Sequence, residues 1–232
     1  MSASAMHADT YYNLSFTGSV AGTGTMDLNP TAGTITITLT NNTNLNGSSQ
    51  SSDDNLIAGL LFNLNNKPTS AVTLTGTSGT LVNISASKSH SAIADPDTTD
   101  TIDHWGVSNN TTTGQICLEA AGSCAVGSQP DDLILTDETN YYVNPSVLNH
   151  DPSILGTGTF IIKIPGLNAD STVVSTDVSV IYGTSGSKED VTVTPGTPPA
   201  ATPEPASLLL VGSSLLGAAG ALRRKMRPKL SC

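Results

Sequence analysis

Gly33-Thr34-Ile35-Thr36-Ile37-Thr38-Leu39-Thr40 is the stretch that decides the fold. Apolar and hydroxyl-bearing residues alternate without a fault. Successive side chains of a strand point to opposite faces, so Ile35, Ile37 and Leu39 share one face and the threonines the other. Threonine is β-branched and suits a wetted sheet surface. The segment therefore reads as a strand with one face in a core and one in water.

The same pattern extends outward. Leu14 and Phe16 alternate with polar residues in a strand beginning at Thr10. Residues 56–64, Leu-Ile-Ala-Gly-Leu-Leu-Phe-Asn-Leu, fit a helix or a buried strand by hydrophobicity, and the short length and Gly59 favour the strand. Further strands are expected at 71–75, 80–85, 115–119, 132–136, 158–164, 172–182 and 190–194, with Gly, Pro, Asn and Asp clusters between them and a turn signal at Asn46-Gly47. No long stretch of helical period precedes Pro203, and no repeat of fixed period is present. Residues 9–194 are thus expected to form an all-β domain, an antiparallel β-sandwich or jelly-roll-like fold. Residues 86–113 are the least patterned part and read as a long loop holding the only tryptophan, Trp105.

Charge divides the chain. Charged residues make up 12% of it and aromatic residues 4%, so hydroxyl and amide groups dominate its polar surface. Four lysines precede position 206, against all nineteen acidic residues, so this part carries −15. Such a body does not seek nucleic acid, whose phosphates need Lys and Arg. The other cations, Arg223, Arg224, Lys225, Arg227 and Lys229, lie in the last ten residues.

They follow an uncharged apolar run from Ala206 to Leu222. At a helical rise of 1.5 Å this run spans about 25 Å, enough for a thin bilayer core. A basic cluster behind it acts as a stop-transfer flank held in the cytoplasm. Residues 195–202, rich in Pro, read as an extended linker. Residues 1–8 are small like a signal-peptide cleavage region but lack its apolar and basic parts, so they are expected to be a remnant of such a region, with the true start upstream.

Between linker and apolar run stands Pro203-Glu204-Pro205. The order Pro-Glu-Pro, apolar helix, Arg-rich end resembles the PEP-CTERM sorting signal of Gram-negative bacteria over about residues 202–229. A glycosylphosphatidylinositol signal ends apolar rather than basic, and a sortase signal needs a Leu-Pro-x-Thr-Gly motif that is absent. The resemblance implies that Pro203, Glu204 and Pro205 are recognised by exosortase, a membrane enzyme that processes the tail. It implies an exported protein, anchored in the inner membrane with a periplasmic body and then passed to the cell surface or matrix. It also points to exopolysaccharide as surrounding material. Prolines on both sides of Glu204 block helix and keep the segment extended at the membrane surface.

Within the body the chemistry is sparse. Cys117 and Cys124 are a candidate disulfide in an oxidising compartment. Asp95, Asp97, Asp100 and Asp103 are weak calcium candidates on the long loop, without EF-hand spacing. Asp53-Asp54, Asp131-Asp132 and Asp137-Glu138 read as turn residues. His7, His90, His104 and His150 stand at no metal spacing. A triad of His104, a loop aspartate and a serine lacks a nucleophile-elbow motif. Trp105 with Tyr11, Tyr12, Tyr141, Tyr142 and Tyr182 is a candidate sugar-stacking platform. The expectation is a non-enzymatic surface or matrix protein without cofactor, with a carbohydrate-binding adhesin second and a secreted hydrolase third.

Overall fold

A computed structural model describes residues 9–43, 55–84, 94–96, 102–120, 131–136, 152–183 and 187–197. The chain divides into two units, residues 1–197 and 198–232. The first is all-β, with thirteen strands among its described residues.

Strands β1 (Thr10–Phe16), β2 (Gly22–Asn29) and β3 (Thr34–Asn41) form an antiparallel meander. The turn into β3 closes through Gly33, at φ 66°, whose N–H donates to Asn29 O, while the Asn29 side chain accepts from Ala32 N. A residue with a Cβ resists that left-handed conformation. Strand β5 (Thr73–Ile84) pairs on one side with β6 (Ala94–Pro96) and on the other with β10 (Ser153–Lys163), whose second half also pairs with β3. A second group is built on β4 (Ile57–Asn63), which lies between β8 (Gln115–Glu119) and β11 (Ser179–Tyr182). Strands β7 (Gly106–Asn109) and β12 (Ser187–Asp190) extend this group at its two sides. The two-residue β9 (Ile134–Leu135) joins the groups, parallel to β10 and antiparallel to β4. Past Val191 the chain leaves the second group, and β13 (Thr192–Pro195) pairs with β1 in the first. Two strand groups sharing one core are consistent with a β-sandwich.

Registers align the core in rows. Tyr12, Met26, Ile37 and Phe160 face one another across β1, β2, β3 and β10, and Leu28, Ile35 and Ile162 form the next row; all are buried. The opposite face carries Asn13, Thr25, Thr38 and Thr159 in one row and Ser15, Thr23, Thr40 and Thr157 in another. Thr38 and Thr159 hydroxyls lie 3.3 Å apart and those of Thr40 and Thr157 2.9 Å apart. The alternation at 33–40 thus forms a core face and a hydroxyl face. Strand β4 is buried on both faces from Ile57 to Phe62, as its uninterrupted apolar run requires.

Several boundaries differ from the sequence reading. The expected strands 71–75 and 80–85 are the single β5, because Gly76 and Gly79 lie within the strand rather than breaking it, and Gly79 is a close-packing position. A Cβ at Gly79 would lie 2.8 Å from Ile154 Cγ2. The expected strand 172–182 is strand only at its end; Val173 makes an isolated bridge to Leu64. The expected strand 190–194 is two, changing partners at Val191. Pro195 closes β13 and Gly196 N–H donates to Tyr11 O, so the linker's first residues belong to the sheet edge. The stretch 86–113 is not loop throughout, since it contributes β6 and β7. The Asn46-Gly47 turn lies outside the described residues.

Candidate functional site

The segment joining β9 to its neighbours brings two parts of the chain together. Asp132 sits at φ 60°, a left-handed conformation that Asp adopts more readily than most residues. Its N–H donates to Pro152 O at 3.0 Å, and its own carbonyl accepts the Trp105 indole N–H at 2.8 Å. Its side chain is fully buried, and Oδ2 accepts the backbone N–H groups of Asp103 and His104, each at 3.1 Å. Asp132 is therefore more than the turn residue read from the sequence. It ties the end of the long loop to the strand that joins the two groups.

The His104 imidazole lies over this carboxylate. Nδ1 is 3.3 Å from Asp132 Oδ2 and 3.1 Å from Asp103 Oδ1, and Nε2 is 3.5 Å from Asp131 Oδ2. Asp132 Oδ1 is buried and has no hydrogen-bond partner. Burial pushes the Asp132 carboxyl above the usual carboxylate range, opposed by the bonds from the His104 and Asp103 backbone and by the imidazole. Sequence spacing did not reveal this cluster, because Asp132 lies 28 residues from His104. The faint signals were two short titratable pairs, Asp103-His104 and Asp131-Asp132.

The other sequence-derived sites fall as follows. Of the calcium candidates, Asp103 joins His104 and Asp132, the Asp95 backbone lies in β6, and Asp97 and Asp100 lie outside the described residues. Both His104 nitrogens face carboxylates, and among the described residues no serine hydroxyl meets either, so the His104 triad is not assembled there. Trp105 is not a sugar platform. Its ring is only 4% exposed and stacks on Phe160, because a large apolar ring gains more in the core than on the surface. Tyr12 is also buried, its hydroxyl accepting Val173 N–H at 3.2 Å. Tyr141 and Tyr142 lie outside the described residues. Cys117 is buried on β8 and disulfide-bonded; its candidate partner Cys124 lies outside the described residues.

The tail residues Pro203, Glu204, Pro205, Arg223, Arg224, Lys225, Arg227 and Lys229 lie outside the described residues, as do the apolar run 206–222 and residues 1–8. Among the described residues no helix is long and apolar enough to cross a membrane. No curated protein and no solved structure matches the chain. Residues 201–225 match the model of the PEP-CTERM protein-sorting motif. The match covers Pro203-Glu204-Pro205, the apolar run and the first three cations. The chain thus carries a PEP-CTERM sorting motif, which marks it for export and processing by exosortase as a surface or extracellular protein.

Proposed function

We propose that the β domain is a non-catalytic structural module of the cell surface or extracellular matrix, delivered by its tail into an exopolysaccharide-rich layer. The sorting motif at 201–225 carries the reading. The hydroxyl face supports it. A shallow, uncharged groove there is lined by Asn13, Ser15, Thr23, Thr25, Thr38 and Thr40 together with Leu14 and Gly24, so it offers hydroxyl and amide groups amid a largely apolar lining, the mixed character of a sugar's own surface. Before processing, residues 206–222 span the inner membrane once, with Arg223 to Cys232 in the cytoplasm. The cations cost roughly 2.5–3.5 kcal/mol each to bring into hydrocarbon and so retain the tail.

An epitope-tagged chain, fractionated and read by mass spectrometry, tests this. The mature surface form is expected to lack Cys232, and Glu204→Ala is expected to accumulate unprocessed in the membrane. A surface form that keeps Cys232 makes the tail a plain anchor. Turnover of ester, peptide or glycoside substrates, lost on changing one Ser or carboxylate, overturns the non-catalytic reading. The adhesin reading loses its aromatic platform with the burial of Trp105.

A further inference from the structure

We infer that Asp103, His104 and Asp132 form a binding site for a divalent transition-metal ion of the zinc class. Each residue offers one donor atom, and the three atoms lie within 4.8 Å of one another. Nδ1 lies 3.1 Å from Asp103 Oδ1 and 3.3 Å from Asp132 Oδ2. Donors bound at about 2.0–2.2 Å from one ion stand about 3.0–3.5 Å apart, so these two separations already match the edges of a coordination polyhedron.

The donor set chooses the metal. One imidazole with two carboxylates suits zinc and its neighbours, whereas calcium and magnesium take all-oxygen shells. This separates the site from the calcium loop read in the sequence. Asp131 Oδ2 faces the other ring nitrogen at 3.5 Å. With an ion bound, a carboxylate on that side favours the tautomer that keeps its proton on Nε2 and turns the Nδ1 lone pair toward the ion.

An independent observation is the state of Asp132 itself. Its side chain is fully buried, yet Oδ1 has no hydrogen-bond partner. A buried carboxylate oxygen left unpaired is costly, and a bound cation offsets that cost. Among the described residues no lysine or arginine pairs with Asp103 or Asp132. The site is open to solution, since the side chains of His104 and Asp103 are 42% and 66% exposed. The Asp132 backbone is held by Trp105 Nε1 and Pro152 O, and its Oδ2 by the N–H groups of Asp103 and His104, so the carboxylate is in place before an ion arrives.

The test is calorimetric titration of zinc chloride into the full chain in detergent after chelator treatment, with calcium and magnesium chloride as comparators. One saturable zinc site is expected, with little heat from either comparator. His104→Gln and Asp103→Asn alter exposed side chains and are expected to weaken zinc binding at least about tenfold, and Asp131→Asn by about tenfold or more. Zinc is expected to raise the unfolding temperature of the parent chain and not that of His104→Gln. If His104→Gln fails to fold, Asp103→Asn decides. The proposal falls if zinc shows no saturable binding, or if binding persists undiminished in these variants and so belongs to other groups such as Cys232.

Discussion

The indole of Trp105 stacks on the ring of Phe160, with centroids 4.1 Å apart and planes tilted by 33°, while its Nε1 donates to Asp132 O at 2.8 Å. One side chain thus joins β10, the loop before β7 and the residue that leads into β9. Trp105→Ala is expected to cost about 3–5 kcal/mol, as for other buried aromatic truncations. Trp105→Phe keeps most of the packing but leaves the Asp132 carbonyl without its donor, so it should cost about 1–3 kcal/mol. Urea unfolding of Trp105→Ala and Trp105→Phe by circular dichroism measures both. As this is the only tryptophan, the parent's emission should shift to the red at the same midpoint. A Trp105→Ala loss below about 1 kcal/mol would place the ring outside the core.

Asn41 is fully buried at the end of β3 with its amide fully used. Nδ2 donates to Asn55 O at 2.8 Å and Ile134 O at 2.9 Å, and Oδ1 accepts from Thr43 N at 3.1 Å. Asn41→Ala strips partners from three backbone groups and is expected to cost about 2–4 kcal/mol. Asn41→Asp sets a carboxylate against two carbonyl oxygens and should cost more at neutral pH. Equal stabilities for Asn41→Asp and the parent at pH 7 would contradict this geometry.

How far the sequence carries depends on where side chains declare themselves. Ile35, Ile37 and Leu39 alternate with threonine, so β3 and its two faces are legible from the residues alone. Strand β2 is not, because Gly22 and Gly24 occupy inward positions where the pattern expects apolar residues. A Cβ at Gly22 would lie 2.4 Å from the Phe16 ring, so the small residue makes room for a large one across the pair. The sorting motif is legible because it is read locally, from Pro203-Glu204-Pro205 and the composition that follows. The His104 cluster is not, because its partners come from distant segments and only the fold brings them together.

Glycines inside strands separate into two kinds by what a methyl group would meet. At Gly59 in β4 a Cβ would lie 2.4 Å from Leu118 O and 2.9 Å from Glu119 Cβ, so backbone would have to move. Gly59→Ala is expected to cost about 1–3 kcal/mol or more, the range for overpacking. At Gly76 in β5 the nearest atom is Ile161 Cδ1 at 3.3 Å, the free end of a side chain 38% exposed. Gly76→Ala should be neutral or gain up to about 0.5 kcal/mol, because alanine loses less backbone entropy than glycine. Thermal unfolding of the two variants should rank them in that order, and the reverse ranking would refute the packing argument.

Asp27 gives the fold a dependence on pH. It stands on the outer face of β2 opposite Tyr11, half-buried, with Oδ1 buried and without a hydrogen-bond partner. Burial raises its carboxyl above the ordinary value; the Tyr11 hydroxyl bond opposes this and the charge of Asp9 adds to it. A group whose native value is raised holds its proton more tightly when folded. Its contribution to stability is therefore complete below the ordinary carboxylate value and is lost as pH rises through the raised native value. Asp27→Asn carries no such loss. The stability difference between Asp27→Asn and the parent should move in favour of asparagine as pH rises from about 3.5 and level off by neutrality, with other titrating groups cancelling between the two proteins. Tyr11→Phe removes the bond that favours the charged form, so it should steepen the loss in a chain that keeps Asp27 and have no such effect on top of Asp27→Asn. Urea titrations of the four proteins between pH 3.5 and 7.5 measure this coupling. A difference that moves the other way with pH would mean that Tyr11, not burial, sets the carboxyl's native value.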